Sequence, residues 1–318
     1  MSVAKKHTAR IEGDRGVGTR LPIAVALMVM VVWGGTPLFT KVAIAQIPPL
    51  QVGILRTVIA GVVALPLVAL WKLRLPESNR DRALLVYSGF AAFVAFPLLF
   101  SIGQSSTSAT HGALILATLP VFTSLFGTLL ERRPVSASWA VGCGIALSGE
   151  ALIIVWRTAG ATASESMRGD ALVLLSAVIC STGYVAGARL AQSGYTSLST
   201  TLWGVGLAAI VLLPMTAWGV ARDGWPQAGA AAWGSVLVLA LLTSIVGYIA
   251  WYWALAVGGI SRVAGVQFTQ PLFGLVLAAL VLGERPGAIT LVAAAGILSG
   301  AWLVQRSARP ETAAARSD

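Results

Sequence analysis

The stretch FTQPLFG, residues 268–274, puts polar chemistry inside an otherwise apolar run near the end of the chain. A buried glutamine brings donors and acceptors that must find partners, and a proline interrupts the hydrogen-bond ladder of a helix. Gln267 lies one turn before Gln270, so both amides share a helix face beside Pro271. We expect the two amides to line a cavity and to bind a polar solute there.

A second set of candidates is aromatic or carries a hydroxyl group. Tyr248, Trp251 and Tyr252 are spaced as one helix face, which is typical either of an interfacial aromatic belt or of a cavity wall. Tyr248 lies deepest in its apolar segment, which favours a place on the cavity wall. The other aromatic or polar groups expected in the same cavity, beside Tyr248 and Tyr252, are Trp33, Thr36, His111, Thr118 and Tyr184.

Charged side chains near the apolar segments have two readings. Arg56 lies about a turn and a half inside such a segment, where it can snorkel to the interface or bind a substrate carboxylate; its depth favours snorkelling. Lys41 and Arg189 stand at segment ends and are expected to snorkel. Glu131 and Glu284 also stand at segment ends, and we expect water to solvate both carboxylates.

The sequence holds no spacing typical of a metal site or of an enzyme. Cys143 and Cys180 fall in apolar segments, far from any Cys-x-x-Cys or Cys/His pattern, and are expected to pack as small apolar side chains. His7 lies in a polar stretch, which leaves His111 as the only histidine of the apolar part. Because catalysis needs a convergent nucleophile, base or metal set, we expect no enzyme, no metal and no cofactor.

The elements that must position these residues are long apolar helices. Of the 318 residues, 57% are hydrophobic and 11% charged, whereas an ordinary soluble domain carries about 25% charged residues. Apolar windows of about 20 residues, the length that crosses a bilayer as a helix, predict an all-α integral membrane protein with ten transmembrane helices. The ten windows are residues 21–43, 51–71, 83–103, 109–130, 135–156, 170–190, 198–220, 231–256, 260–282 and 287–305.

The positive charges are distributed as in a membrane protein with both termini in the cytoplasm. With the N-terminus inside, sixteen of the 22 lysines and arginines fall in cytoplasmic loops and tails and five in outer loops, as the positive-inside rule requires. The net charge of +10 therefore reflects topology, and no nucleic-acid partner is expected. The alternative that residues 1–45 form a cleaved signal peptide is disfavoured, because the apolar stretch is too long.

The second half of the chain repeats the first. Pro120 precedes Pro271 by 151 residues, and Gly149 precedes Gly300 by the same separation. Each half holds five predicted helices, and because five is odd, the second half must enter the membrane inverted. Transporters built in this way bind solutes near the midplane beside interrupted helices, so we expect Pro120 and Pro271 to break the fourth and ninth helices.

The expected organisation is a cytoplasmic tail at 1–20, repeats at 21–156 and 170–306, a linker at 157–169 and a cytoplasmic tail at 307–318.

At these residues the sequence resembles a known family. The motif VWGGTPLFTKVAI, residues 32–44, and the two proline-containing fourth helices of the halves, ending in ERRP and GERP, are similar to the drug/metabolite transporter superfamily. The resemblance covers about residues 21–305 and is closest to the ten-helix EamA-type exporters. It implies a central cavity lined by the first, third, fourth, sixth, eighth and ninth helices. It also implies a peripheral fifth helix, so Glu150, the only acid expected within a span, is expected to pack or to face the interface.

A cavity with few charges, aromatic walls and amides suits a zwitterionic or neutral organic solute. We therefore expect a secondary transporter that exports amino acids or related metabolites by alternating access, in the inner membrane of a bacterium. The superfamily also holds carriers of nucleotide sugars, triose phosphates and drugs, so a proton-coupled drug or cation antiporter and a nucleotide-sugar or phosphate-ester exchanger stay open. The expected partners are the small solute and the lipid bilayer, and a homodimer stays open.

Overall fold

The computed structural model describes residues 20–131, 137–157, 163–258 and 263–307, and within these ranges it contains helices and no strand. The expected tails outside residues 20–307 and the linker residues 158–162 lie outside this description. We number the helical segments α1 to α10 in chain order. They are α1 (Arg20–Gly34 and Thr36–Ile44), α2 (Pro49–Leu70), α3 (Asn79–Phe90, a π-helical part Ala91–Ala95, and Phe96–Ser105), α4 (Ala109–Leu116 and Leu119–Glu131), α5 (Ala137–Arg157), α6 (Ala163–Gln192), α7 (Ser197–Asp223), α8 (Ala230–Leu237, a π-helical part Val238–Val246, and Gly247–Gly258), α9 (a 3-10 part Ala264–Thr269 and Gln270–Leu282) and α10 (Ala288–Ser307).

Seven helices among the described residues are long and apolar enough to cross a membrane, and they belong to α1 to α4 and α6 to α8. Within the described residues, the apolar stretches that belong to α5, α9 and α10 are Ala137–Gly149, Val266–Leu282 and Ala288–Gly300. An all-helical protein with membrane-crossing helices is therefore confirmed, while the expected count of ten crossings is not.

The connections between helices meet at two ends of the molecule. At one end, here called the Glu284 end, connections 45–48, 106–108, 224–229 and 283–287 come together. There the Gln46 amide oxygen accepts a hydrogen bond from the Gly229 N–H at 2.7 Å. The opposite end is here called the Arg74 end and contains connections 71–78 and 193–196. Successive helices therefore run in opposite directions.

At the Arg74 end, Tyr195 ties the α6–α7 connection to the α2–α3 connection. Its hydroxyl donates to the Arg74 carbonyl oxygen at 2.8 Å. Burial raises the pKa of Tyr195 to about 12, so the hydroxyl keeps the proton that it donates at neutral pH. The indole of Trp203 in α7 donates to the neighbouring Leu73 carbonyl oxygen at 3.2 Å. This is a second hydrogen bond to the α2–α3 connection.

Helices of the two halves pack in matched pairs through small residues. α2 packs on α7, α4 on α9 and α5 on α10, while α1 packs on α8 and α6 on α3. A Cβ atom on Gly274 of α9 would lie 2.6 Å from the Ala113 Cβ of α4, and one on Gly149 of α5 would lie 3.0 Å from the Ile297 side chain of α10. Small residues let helix backbones approach this closely. Each packed pair thus has its counterpart when the two halves are exchanged.

Candidate functional site

Irregular stretches of five helices surround the centre of the molecule. α1 is interrupted at Gly35 and α4 at residues 117–118, α9 has its 3-10 part at Ala264–Thr269, and α3 and α8 carry π-helical parts at Ala91–Ala95 and Val238–Val246. Each interruption frees backbone groups that a regular helix would pair internally. Inside a membrane such groups are tolerated only where protein or cavity water satisfies them, and π-helical parts occur frequently at functional sites.

The break in α1 fixes Trp33 at the centre. Pro37 has no N–H, so the Trp33 carbonyl oxygen four residues earlier loses its helical donor. The Gln270 side-chain nitrogen lies 3.5 Å from this oxygen and donates to it. The Trp33 indole in turn donates to the Thr243 carbonyl oxygen, in the π-helical part of α8, at 3.0 Å. Trp33 therefore joins α1, α8 and α9.

Side chains of neighbouring helices also contact the backbone at the irregular parts of α3 and α4. Pro97 leaves the Phe93 carbonyl oxygen without its helical donor, and the Thr57 hydroxyl of α2 donates to it at 2.7 Å. The Leu119 carbonyl oxygen, just after the break in α4, accepts from the Ser181 hydroxyl of α6 at 3.1 Å. The Thr57 hydroxyl thus replaces the missing donor in α3, and α6 contacts α4 directly after its break.

These parts enclose a central cavity of about 20 Å³, which is room for about one water molecule. Aromatic rings form one wall: Trp33 stacks on Tyr184 with ring centroids 5.9 Å apart and planes 4° from parallel, and Tyr248 lies 5.1 Å from Trp33. Among the described residues that line the cavity there is no carboxylate. The lining residues are Trp33, Thr36, Arg56, Phe96, Leu116, Leu119, Tyr184, Thr243, Tyr248 and Gln270.

Arg56 is the charged group of this cavity, and it is 2% exposed. Its Nη2 donates to the hydroxyl oxygens of Thr243 at 3.0 Å and Ser244 at 3.2 Å. Both hydroxyls donate to one carbonyl oxygen, that of Leu239, so their lone pairs face the guanidinium. Nε and Nη1 are buried and have no hydrogen-bond partner among the described residues. The expectation that Arg56 snorkels is therefore wrong, because α8 hydroxyls hold its head group in the interior.

Six of the expected site residues line the cavity: Trp33, Thr36, Arg56, Tyr184, Tyr248 and Gln270. Gln267 does not, because it lies one 3-10 turn, about 6 Å, nearer the Arg74 end.

Thr118 lies at the break in α4 and donates to the Ile115 carbonyl oxygen at 2.7 Å. His111 stands in the first turn of α4, where its backbone N–H donates to the Ser108 hydroxyl at 3.1 Å. Tyr252 lies one turn below Tyr248, with its hydroxyl 3.5 Å from that of Ser88.

The aromatic face of α8 is buried, so the interfacial-belt reading of these residues is wrong. Tyr248, Trp251 and Tyr252 are each 2–3% exposed. Trp251 contacts Trp33 with ring centroids 5.6 Å apart. Tyr252 packs against Gly187 of α6, where a Cβ atom would lie 2.5 Å from the tyrosine hydroxyl. Tyr252 thus fills the space between the cavity and the Arg74 end.

Both prolines of the repeat stand at helix starts. Pro120 is the second residue of Leu119–Glu131, directly after the break in α4. Pro271 is the second residue of Gln270–Leu282, directly after the 3-10 part of α9. A proline is well tolerated in the first turn of a helix, where its missing N–H costs nothing. The two interruptions lie beside Leu116, Leu119 and Gln270, which line the cavity.

Sequence reasoning missed Thr243, Ser244 and Phe96. The signal was available in LLTSIVG, residues 241–247, where a small polar pair interrupts an apolar run. The π-helical geometry that turns both hydroxyls toward Arg56 was not readable from the residue types. Phe96 places its ring 5.9 Å from the Arg56 guanidinium carbon, a cation–π contact within the same site.

Two expectations about acids are wrong. Glu284 is not simply solvated: its carboxylate accepts from the backbone N–H groups of Ala109 and Thr110 at 2.9 and 2.8 Å. Glu150 is not the only acid within a helix, because Asp170 lies fully buried in α6. It sits beside the close approach of Gly169 to α3 and does not line the cavity. The side chains of Glu131 and Glu150 lie outside the description.

Two apolar grooves open toward the Arg74 end, outside the central cavity. The larger, about 550 Å³, lies between α1, α8 and the α6–α7 connection and includes Tyr195 and Trp253. The other, about 440 Å³, lies between α3, α4 and α6 and includes Tyr87 and Arg189. By contrast the Glu284 end is held by the contacts of Glu284 and Gln46. The structure therefore has a closed Glu284 end above an enclosed central cavity.

Membrane-crossing helices around a buried, charged and aromatic cavity define a helical membrane transporter. The chain matches the EamA-like transporter family over residues 20–155 and 167–306, which is nearly its whole length, and it belongs to that family. The resemblance to EamA-type members of the drug/metabolite transporter superfamily is thereby confirmed. The two matched stretches correspond to the two halves of the chain.

Similar proteins are transporters by name. An uncharacterized transporter of Bacillus subtilis, YdeK, is 31% identical over 261 residues, which are 81% of this chain and 88% of that protein. A probable amino-acid metabolite efflux pump of Escherichia coli is 26% identical over 88% of this chain and 93% of its own. A probable terminal-alkyne amino-acid exporter of Streptantibioticus cattleyicolor is 27% identical over 71% of this chain and 74% of its own.

A solved structure, described only as the crystal structure of a protein, has the same fold. It superposes with a TM-score of 0.61 at 20% sequence identity, and the match covers 91% of this chain and 97% of the other. At this identity the likeness concerns the fold alone. It places this arrangement of helices among those already observed by experiment.

Proposed function

We propose that this EamA-family transporter exports amino acids or related small metabolites that carry a carboxylate. The observation that carries the proposal is Arg56, a buried cation in the central cavity whose Nε and Nη1 atoms have no hydrogen-bond partner among the described residues. A guanidinium keeps its charge and suits bidentate binding of a carboxylate. Burying it without a counter-charge costs several kcal/mol on the order-of-magnitude scale of buried ions, and a bound carboxylate supplies that counter-charge.

Transport proceeds by alternating access. Contacts of Glu284 and Gln46 lie at the Glu284 end and Tyr252 lies toward the Arg74 end, and the cavity of about 20 Å³ between them must widen before it can hold a solute. Opening toward either side requires one half of the molecule to rock against the other about the cavity. The irregular parts of α1, α4 and α9 meet at that cavity and give the halves a place to bend.

The proposal includes ten membrane crossings in two inverted five-helix repeats. Three features support it: the packing pairs are matched between halves, successive helices run in opposite directions, and Pro120 and Pro271 follow breaks at equivalent places. In this proposal α5, α9 and α10 are the remaining three crossings. The proposal also puts the protein in the inner membrane of a bacterium, with both termini in the cytoplasm and the Glu284 end outside, and the positive-inside distribution of charge supports this orientation.

The names of similar proteins agree with this substrate class, since two of them are described as an amino-acid exporter and an amino-acid metabolite efflux pump.

One observation favours a second function, a proton-coupled antiporter of drugs or cations. Asp170 is a fully buried acid inside a helix, and intramembrane acids commonly relay protons. It lies away from the cavity lining, however, so the carboxylate exporter accounts better for Arg56. A multiply charged phosphate ester would call for several converging cations, and Arg56 is the single cation among the described lining residues.

Counterflow into liposomes tests the proposal. Purified protein is reconstituted in vesicles loaded in turn with amino acids, nucleotide sugars or cationic dyes, and uptake of the labelled solute is followed. We expect exchange with amino acids. Exchange confined to cationic dyes would contradict the proposal in favour of the antiporter, and exchange confined to nucleotide sugars would contradict it in favour of the phosphate-ester exchanger.

A further inference from the structure

The central cavity contains a second polar atom without a partner. Gln270 is 5% exposed, and its side-chain nitrogen donates to the Trp33 carbonyl oxygen. That contact directs the nitrogen toward α1 and leaves the amide oxygen as the free group. The oxygen is buried and has no hydrogen-bond partner among the described residues. The cavity thus offers unpaired donors on Arg56 and an unpaired acceptor on Gln270.

We propose that this cavity takes its substrate as a zwitterion, with Arg56 binding the carboxylate and the Gln270 amide oxygen accepting a hydrogen bond from the ammonium group. The inference rests on the proposed function and deepens it, because it separates amino acids from carboxylic acids that lack an amino group. Gln270 acts in this way as the residue that selects between these two classes.

The aromatic wall supports a cationic pole at this position. Trp33 accepts the Gln270 contact at its backbone carbonyl oxygen, and its ring packs against the rings of Tyr184 and Tyr248. The faces of tryptophan and tyrosine rings attract ammonium groups electrostatically, most strongly where water is excluded. All three rings line the same cavity and are 3–5% exposed. An ammonium group near Gln270 therefore meets a hydrogen-bond acceptor and an electron-rich wall together.

A substrate without a donor leaves the Gln270 oxygen unsatisfied. A buried acceptor that loses its partner carries a desolvation penalty that corresponds to about a tenfold or greater loss of binding. A solute that has the carboxylate but no amino group still binds Arg56 and should still be exchanged, at a lower rate. The selectivity between the two solutes therefore reports on Gln270, while exchange of either one reports on Arg56.

Counterflow with paired solutes tests the assignment. Vesicles carrying the protein receive leucine or isocaproate, and separately phenylalanine or phenylpropionate, where each pair differs by the amino group. We expect the wild type to prefer the amino acid of a pair by about tenfold or more. Gln270→Met keeps the shape and length of the side chain but removes the acceptor, and it should lower that ratio by about tenfold.

The matched control is Gln267→Met, the same substitution one turn outside the cavity, which should keep the wild-type ratio. A wild type that exchanges both members of each pair equally, or a Gln270→Met variant that keeps the wild-type ratio, would overturn the zwitterion assignment while leaving the carboxylate exporter intact. Failure of the wild type to exchange any of the four solutes would instead overturn the proposed function.

Discussion

The Glu284 carboxylate caps the first turn of α4 by accepting hydrogen bonds from the N–H groups of Ala109 and Thr110, at 2.9 and 2.8 Å. The contact joins the second half of the chain to the first, because Glu284 follows α9. The first N–H groups of a helix have no internal partners, and a carboxylate there also interacts favourably with the helix dipole. Glu284 therefore holds α4 and α9 together at the end that closes the cavity.

Removing this cap should favour opening at the Glu284 end. Hydrogen bonds to a charged group are worth about 1.5–3 kcal/mol each, so Glu284→Ala should raise the open population by about tenfold or more. Thr36→Cys, in a variant without Cys143 and Cys180, reports access to the cavity through its rate of reaction with an impermeant thiol reagent added outside the cell. Arg285→Ala, at an exposed neighbouring position, is the control. An equal labelling rate in the wild-type and Glu284→Ala backgrounds would show that the Glu284 cap does not keep this end of the cavity closed.

Membrane orientation can be tested with exposed residues at the two ends. Gln227 lies in the α7–α8 connection of the Glu284 end, and Glu77 lies in the α2–α3 connection of the Arg74 end. In a background without native cysteines, Gln227→Cys should react with an impermeant thiol reagent in intact cells, and Glu77→Cys should react only after lysis. Reaction of Glu77→Cys in intact cells, with Gln227→Cys protected, would reverse the proposed orientation.

Packing of α4 on α9 depends on Gly274. An added Cβ atom would lie 2.6 Å from the Ala113 Cβ and 3.2 Å from the Gly34 carbonyl oxygen, so Gly274→Ala requires the backbones to separate. Overpacking of this kind costs about 1–3 kcal/mol, and we expect a lower melting temperature in detergent. Gly234→Ala is the matched control in α8, where nothing lies within 4 Å of the added atom and alanine favours the helix. A Gly274→Ala protein as stable as the Gly234→Ala protein would mean that the close contact is not required.

The helices and the family were readable from the sequence, whereas much of the site was not. Apolar windows and the matched Pro120 and Pro271 depend on local residue order. Arg56 binds Thr243 and Ser244, which are 187 and 188 residues away in the chain, and no local pattern indicates that the hydroxyls of a π-helical part face it. Helical spacing placed Gln267 and Gln270 on one helix face, but spacing does not say how deep in the membrane each residue lies. Gln270 lies at the depth of the cavity and lines it, whereas Gln267 does not.

We predict that exchange does not require a proton gradient. The described acids and histidines of the helices are not among the residues that line the cavity. Asp170 lies buried in α6 and His111 in the first turn of α4. Amino-acid counterflow should therefore persist with the pH gradient collapsed, in the wild type and in Asp170→Asn and His111→Asn. Loss of wild-type exchange on adding a protonophore, reproduced by either substitution, would indicate an antiporter.

The role of Arg56 is the central claim, and amino-acid counterflow by Arg56→Gln tests it most directly. Glutamine keeps hydrogen-bond donors but lacks the charge that a carboxylate requires. Losing a hydrogen bond to a charged group costs about 1.5–3 kcal/mol, so exchange should fall by about tenfold or more, in protein that still folds and inserts. Arg222→Gln, at the exposed end of α7, should exchange at the wild-type rate. Wild-type exchange by Arg56→Gln would contradict the carboxylate site.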